Sequence, residues 1–245
     1  MIEALTLAAM LGIMPMSDGV DIIREMHDKY AGKWYETLAL VQTVNYFDRE
    51  TGAFDSARVW YESLVFPGTV RSDIAPLDAG NRWFYKDASW IEIRADTVFN
   101  SSPGPHPLLL LGFDVYFLPP EETIARLQRF RVDFSQVRED EWQGRRMWVI
   151  GAATPDDSAN QIWIDKERLV FKRLLLRNAN ARARTEYRFD RYEQLGDGWI
   201  GTEVVFIRNG VTTMLERYHW WDIDMDFAPS LFETTGATLP TWVKN

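Results

Sequence analysis

Asn160 to Arg177 reads NQIWIDKERLVFKRLLLR, and two triplets in it decide how the chain is read. A strand in a half-buried sheet alternates apolar and polar residues, because successive side chains point to opposite faces. Ile162-Trp163-Ile164 and Leu174-Leu175-Leu176 do not alternate, so both faces of the sheet they form are expected to be dry. If the sheet is curved and wraps helices on its concave side, the second dry side is a lumen.

The flanking sequence supplies the rest of such a sheet. After Gly32, Leu38, Leu40, Gln42, Val44 and Tyr46 fall on one face of a strand, with Ala39, Val41 and Thr43 on the other. Strand-like runs recur at Phe54–Phe66, Thr69–Ile74, Arg82–Lys86 and Trp90–Arg94, spaced as an antiparallel meander. Beyond them, strands are expected at Val132–Val137, Glu139–Trp142, Arg145–Ile150, Gln161–Ile164, Leu169–Arg177, Thr185–Leu195, Trp199–Arg208 and Val211–Trp221. Asn209-Gly210 is the strongest turn signal, a type I′ hairpin. SSPGPHP (101–107) interrupts the meander with a loop that no strand should tolerate. Helices are expected over SDGVDIIREMHDKY from Ser17, at Pro107 onward, and from Pro119-Pro120-Glu121-Glu122. The expected total is about ten or eleven strands with two or three helices, in a single domain over 17–245. No Gly-, Ser- or Pro-rich linker divides the chain.

Composition narrows the function. The 245 residues carry a formal charge of −9 and no run of basic residues, which argues against a nucleic-acid partner and against anionic membrane surfaces. No cysteine is present, so disulfides, thiolate nucleophiles and zinc–thiolate sites are excluded. Eleven Trp, nine Tyr and fourteen Phe favour strands and apolar sites with one wet edge. The apolar run Ala4–Met14 is as long as a signal-peptide core. Without a preceding basic residue and with Glu3 before it, residues 1–16 read either as a signal-peptide remnant or as a folded N-terminal extension. No later run reaches the roughly 18 apolar residues of a transmembrane helix, so the chain is not expected to be integral to a membrane.

Catalytic and metal motifs are missing. There is no G-x-S-x-G, Walker A or G-x-G-x-x-G pattern, and His27, His106 and His219 lack any metal-ligand spacing. His106 between two prolines reads as a loop residue, and His219 as packed or exposed on a strand. Asp222, Asp224 and Asp226 would share one face if extended and three carboxylates can hold Ca²⁺, but Ala228 and Pro229 follow where an EF-hand needs glycine, so a solvated strand end is expected. Glu121-Glu122 and Asp156-Asp157 read as helix-start and loop residues. No catalytic residue, metal or cofactor is expected.

Several segments, taken in order, carry a family resemblance: an N-terminal helix leading to LALVQTV (38–44), VWYESLVFPGTVRSDI (59–74), NRWFYKDASWIEI (81–93), PHPLLLL (105–111), GRRMWVIGA (144–152), IWIDKERLVFKRLLL (162–176) and FAPSLFE (227–233). Spread over Val20 to Thr234, they resemble the LolA/LolB-like superfamily of periplasmic lipoprotein carriers and outer-membrane lipoprotein-sorting proteins. The resemblance implies an α+β, mainly antiparallel fold: an unclosed half β-barrel of about eleven strands, with helices plugging its concave side over a hydrophobic cavity. It implies a periplasmic, non-enzymatic protein that shields a lipid or lipoprotein acyl chains, with an envelope protein as a further partner. In the carriers proper, an arginine before the Pro-Gly gates the cavity. Here Phe66 stands in that place, and Arg71, matching the later arginine, is the candidate gate. Strand parity nominates Leu38, Leu40, Trp60, Leu64, Phe66, Trp83, Trp90, Trp148 and Trp163 as cavity lining, with Leu108, Leu109, Leu110 and Leu111 as plug or lid. Two other classes stay open: an envelope sensor or protein-interaction module on the same fold, and a hydrolase in which His106 or His219 meets a carboxylate.

Overall fold

A computed structural model describes residues 18–156, 158–178, 183–235 and 239–243. Residues 1–16, Ser17 and Asp157, for which expectations were stated, lie outside the described residues. The strands are β1 (Thr37–Phe47), β2 (Phe54–Val65), β3 (Thr69–Ile74), β4 (Arg82–Lys86), β5 (Ser89–Arg94), β6 (Thr97–Pro103), β7 (Val137–Trp142), β8 (Arg145–Ile150), β9 (Gln161–Asp165), β10 (Phe171–Asn178), β11 (Ala183–Leu195), β12 (Gly198–Arg208) and β13 (Val211–Ile223). The helices are α1 (Gly19–Tyr30), α2 (Pro107–Gly112) and α3 (Pro120–Leu127). All strands of the described residues join one antiparallel sheet in the order β6-β5-β4-β3-β2-β1-β13-β12-β11-β10-β9-β8-β7. The meander is broken once, where β13 returns to pair with β1. β6 and β7 are left as the two ends of an unclosed barrel.

Thirteen strands form among the described residues where about ten or eleven were expected, and two segments differ from the expected bounds. Thr97–Pro103 is a strand despite its proline; it is an edge strand with Pro103 as its last residue, a place where a missing N–H costs nothing. The strand expected from Val132 instead begins at Val137. Val132 and Phe134 are buried in the preceding loop, where the Phe134 carbonyl accepts the Gly19 N–H at the start of α1. Asp18 caps α1, its carboxylate accepting the Asp21 N–H at 2.9 Å. Asn209 and Gly210 both have positive φ, 51° and 85°, as a type I′ turn requires.

The Asn160–Arg177 stretch is dry on both sides for two different reasons. Ile162, Ile164 and Leu174 point into the main core with α1 residues Ile22, Ile23 and Met26. Trp163 and Leu175 point the other way and form a second cluster with Met147 and Val149. A ladder of arginines and tryptophans covers that outer cluster. The Arg173 guanidinium lies 4.6 Å from the Trp142 ring and 5.0 Å from Trp163, and Arg188 lies 5.0 Å from Trp142. The buried Glu186 carboxylate accepts from Arg173 Nε at 2.7 Å and also from Arg188 and Arg184. The lumen expected beneath this stretch is therefore a filled core at β9 and β10; open space lies farther along the sheet.

Nearer β1, the C-terminal segment covers the outer face. Trp242 stacks on Trp220 at 5.3 Å and donates to Ser63 Oγ at 2.9 Å, and the Leu231 carbonyl accepts from Arg71 at 2.7 Å. The helical layer is tied to the sheet by Asp114, whose carboxylate accepts the Gly68 N–H of the β2–β3 turn at 3.0 Å.

These two buried acids give opposite pH dependences. Burial pushes the Glu186 carboxyl up, but hydrogen bonds from Arg173 and Arg188 outweigh it and hold the group below the usual range. Its contribution is present above the ordinary carboxylate pKa and is lost as pH falls through the depressed value. Glu186→Ala leaves Arg173 buried without its carboxylate and should cost about 3–5 kcal/mol in urea unfolding at pH 7; a loss under 1 kcal/mol would show the ladder to be incidental. Burial raises Asp114 to about 7, against the lowering effects of Gly68 and Arg126, so its protonated form favours folding and stability falls as pH rises from about 4 to 7. Asp114→Asn keeps an acceptor for Gly68 and should raise Tm at pH 8 while leaving it unchanged at pH 4; an equal shift at both pH values contradicts the assignment.

Candidate functional site

In the inward row of β2, Trp60, Glu62 and Leu64 alternate with outward residues. Directly opposite them, register places Ile74, Ser72 and Val70 of β3, and one strand farther on Trp83 opposite Ser72 and Tyr85 opposite Val70. On the other side of β1, the inward residues are Met214, Glu216 and Tyr218 of β13, Val204 and Phe206 of β12, and Tyr187 and Phe189 of β11. α2 and Phe113 lie over this face, and between them and the sheet is a cavity of about 330 Å³.

Four of the nominated lining residues, Trp60, Leu64, Trp83 and Trp90, meet at this cavity with Leu108 and Leu109 of α2. Leu110 and Leu111 lie on the core side of the same helix, so α2 is a wall buried on both flanks. Leu38 and Leu40 are on the expected face but packed solidly in the core. Phe66 sits beside the cavity, stacked on Phe113 at 4.8 Å and on Phe117 at 5.8 Å. Trp148 faces the helical layer far along the sheet, opposite Ile164, with Lys166 3.8 Å from its ring. The two remaining nominations fall on the outer face. Trp163 belongs to the arginine-covered cluster. Arg71 is 1% exposed, pairs bidentately with Asp73 at 2.7 and 2.8 Å, and has its guanidinium 5.6 Å from the Phe84 ring; an arginine held there braces the C-terminal segment and does not face the cavity.

The cavity also contains two carboxyl groups that parity could have disclosed, because Glu62 lies between the nominated Trp60 and Leu64 on the same row. Glu62 accepts from Ser72 Oγ at 2.6 Å. Burial raises its carboxyl to about 7, against the lowering effect of hydrogen bonds from Ser72 and Gln42. Burial raises Glu216 well above its ordinary range, and the Glu62 charge adds to it. The part of each side chain that remains accessible lines the cavity. Next to it, a polar vestibule formed by Tyr46, Ser56, Arg58, Asn81 and Arg94 shares Trp60 and Trp83 as its partition with the cavity.

His106, read from sequence as a loop residue, caps α2. Its Nδ1 accepts the Leu109 N–H at 3.1 Å and its ring stacks on Trp90 at 4.3 Å. Burial drives its pKa down to about 3, so the ring is neutral with one nitrogen committed. His219 is exposed, bonded to Thr43 on the outer face, and the two histidines do not converge. Asp224 turns the chain in the left-handed region at φ 55° and accepts the Glu36 N–H, so Asp222, Asp224 and Asp226 do not form one extended row.

No protein-family model matches the chain, and no curated protein matches its sequence. Solved structures do match. A DUF1329 family protein from Desulfovibrio piger is 15% identical, with a TM-score of 0.58 over 88% of this chain and 95% of that one. An outer membrane lipoprotein-sorting protein domain from Vibrio parahaemolyticus, described as putative, is 10% identical, with a TM-score of 0.57 over 87% and 95%. A LolA superfamily protein from Nitrosomonas europaea is 9% identical, with a TM-score of 0.55 over 89% and 98%. The fold of this chain is the LolA-like unclosed barrel.

Proposed function

We propose that the protein is a periplasmic binding or carrier protein that shields a hydrophobic ligand between its sheet and α2. The observation that carries this reading is the cavity of about 330 Å³, walled mainly by Trp, Phe, Leu and Val side chains. Its volume is at the small end of ordinary ligand pockets, which span roughly 300–1,000 Å³, so it suits one chain and not the several acyl chains of a lipid anchor. Each buried methylene contributes about 0.8 kcal/mol, so a chain of about twelve supplies roughly 10 kcal/mol toward binding before the cost of association. The fold shared with a lipoprotein-sorting domain and a LolA superfamily protein supports the same reading. Among the described residues no helix is long and apolar enough to cross a membrane.

Access to the cavity is expected past α2. Its six residues are held by side-chain packing and not by strand pairing, and elements of that kind open at lower cost than a sheet. Dodecanol, titrated below its solubility limit, should give saturable one-to-one binding by calorimetry and alter tryptophan emission, because three tryptophans line the site. Met214→Trp, which adds a ring to the cavity wall, should weaken binding at least ten-fold with an unchanged circular dichroism spectrum. Absence of saturable binding, or an affinity indifferent to Met214→Trp, would sink the proposal.

A further inference from the structure

Part of the cavity wall is acidic, and no lysine or arginine lines the cavity to match it. Glu62 and Glu216 stand on the two strands that flank β1, and among the described residues neither has an ion-pair partner. Between them on β1 lies Gln42, directly opposite Trp60 on one side and Tyr218 on the other. Directly opposite residues of an antiparallel pair share a face, so Gln42 faces the same way as both rings. It is 1% exposed, and its Oε1 has no hydrogen-bond partner. The Trp60 indole N–H is likewise unpartnered.

A buried acceptor without a donor costs free energy, and two carboxyls in an apolar wall cost more. Here both carboxyls line the cavity with the rings of Trp60, Tyr218 and Phe206, and Gln42 is hydrogen-bonded to Glu62. A primary ammonium matches this set. It carries three N–H donors and one positive charge, and aromatic faces attract it as well. Burial keeps Glu62 and Glu216 from ionising together, and a cation between them reverses that preference. Arg58, exposed in the vestibule, stands opposite Val44 of β1 as Glu216 does, and among the described residues it forms no ion pair with Glu62 or Glu216.

Resting on the reading of this cavity as a ligand site, we propose that its acidic wall is a cation subsite that takes the primary ammonium head of a single-chain amphiphile. Glu62, Glu216 and Gln42 accept its hydrogen bonds, and its chain lies along Leu64, Leu109 and Val204.

The test compares dodecylamine, dodecanol and dodecanoate at pH 7.5, each below its critical micelle concentration, by calorimetry on the full chain. Dodecylamine, protonated at this pH, should bind at least ten-fold more tightly than dodecanol, and dodecanoate more weakly than either. Glu62→Gln with Glu216→Gln should reduce the preference for the amine to less than two-fold while dodecanol affinity is retained, which also reports an intact cavity. Equal binding of all three, a preference for dodecanoate, or an amine preference that survives in the double variant overturns the cation subsite and leaves the apolar cavity standing. Failure of all three to bind overturns the cavity reading itself. Where the double variant does not fold, the wild-type ranking of the three ligands decides.

Discussion

An antiparallel sheet that does not close leaves two faces and two edges to be protected, and the rest of this structure follows from how each is treated. The inner face is buried against three helices and the loops between them. The outer face does not use the same means, because the described residues form no second helical layer. It uses two others: an arginine–tryptophan ladder centred on Glu186 over β8 to β11, and the C-terminal segment strapped across β1 to β4. Glu186 draws three arginines to one carboxylate, and the planar guanidinium groups of Arg173 and Arg188 lie against indoles. Planarity makes arginine suited to that position and lysine unsuited.

The inner face is less uniform than the helices suggest. At β9 and β10 it is filled by Ile22, Ile23 and Met26 of α1. At β2 to β4 and β11 to β13 the short α2 stands off the sheet, and the space beneath it is bounded by rings too large and flat to fill it. Trp60, Trp83, Trp90 and Phe206 are held on strands whose spacing is set by backbone hydrogen bonds, and so they cannot move inward to close the gap. The cavity is thus a consequence of placing large aromatic residues in an inward row beneath a helix of only six residues.

That distribution explains what the sequence disclosed. Period-two alternation in LALVQTV and VWYESLV marked the inward rows of β1 and β2, so Trp60 and Leu64 could be nominated for the cavity. Alternation also placed Glu62 between them, but a lone acid in a strand is ordinarily a solvent-facing residue, and nothing local distinguishes the exception. Trp163 was misplaced because a triplet such as Ile-Trp-Ile gives no parity: both faces are dry and either assignment satisfies it. Of the arginines that make the outer face dry, Arg188 is remote in sequence from Trp142, and Arg173 is set beside Trp163 only by the β9–β10 pairing. Thr97–Pro103 was missed because proline excludes a central strand and not the end of an edge strand, and edge position is a property of the topology.

Arg71 shows how a sequence position can match while the geometry differs. Its neighbours Val70 and Ser72 face the cavity, and by alternation Arg71 and Asp73 must face away, where Phe84 and the Leu231 carbonyl complete their surroundings. The segment that does lie between the β2–β3 turn and α2 is Phe66, stacked on Phe113 and Phe117 with interplanar angles of 7° and 24°. Parallel rings offer no directional bond comparable to a guanidinium on a carbonyl, so they can slide past one another at little cost. The directional contact there is the Asp114–Gly68 hydrogen bond, at the C-terminal side of α2. At its His106 end α2 is held to β4 and β5 by ring packing against Tyr85 and Trp90 and by a hydrogen bond between Tyr85 and the His106 backbone, so both ends of the helix are tied to the sheet.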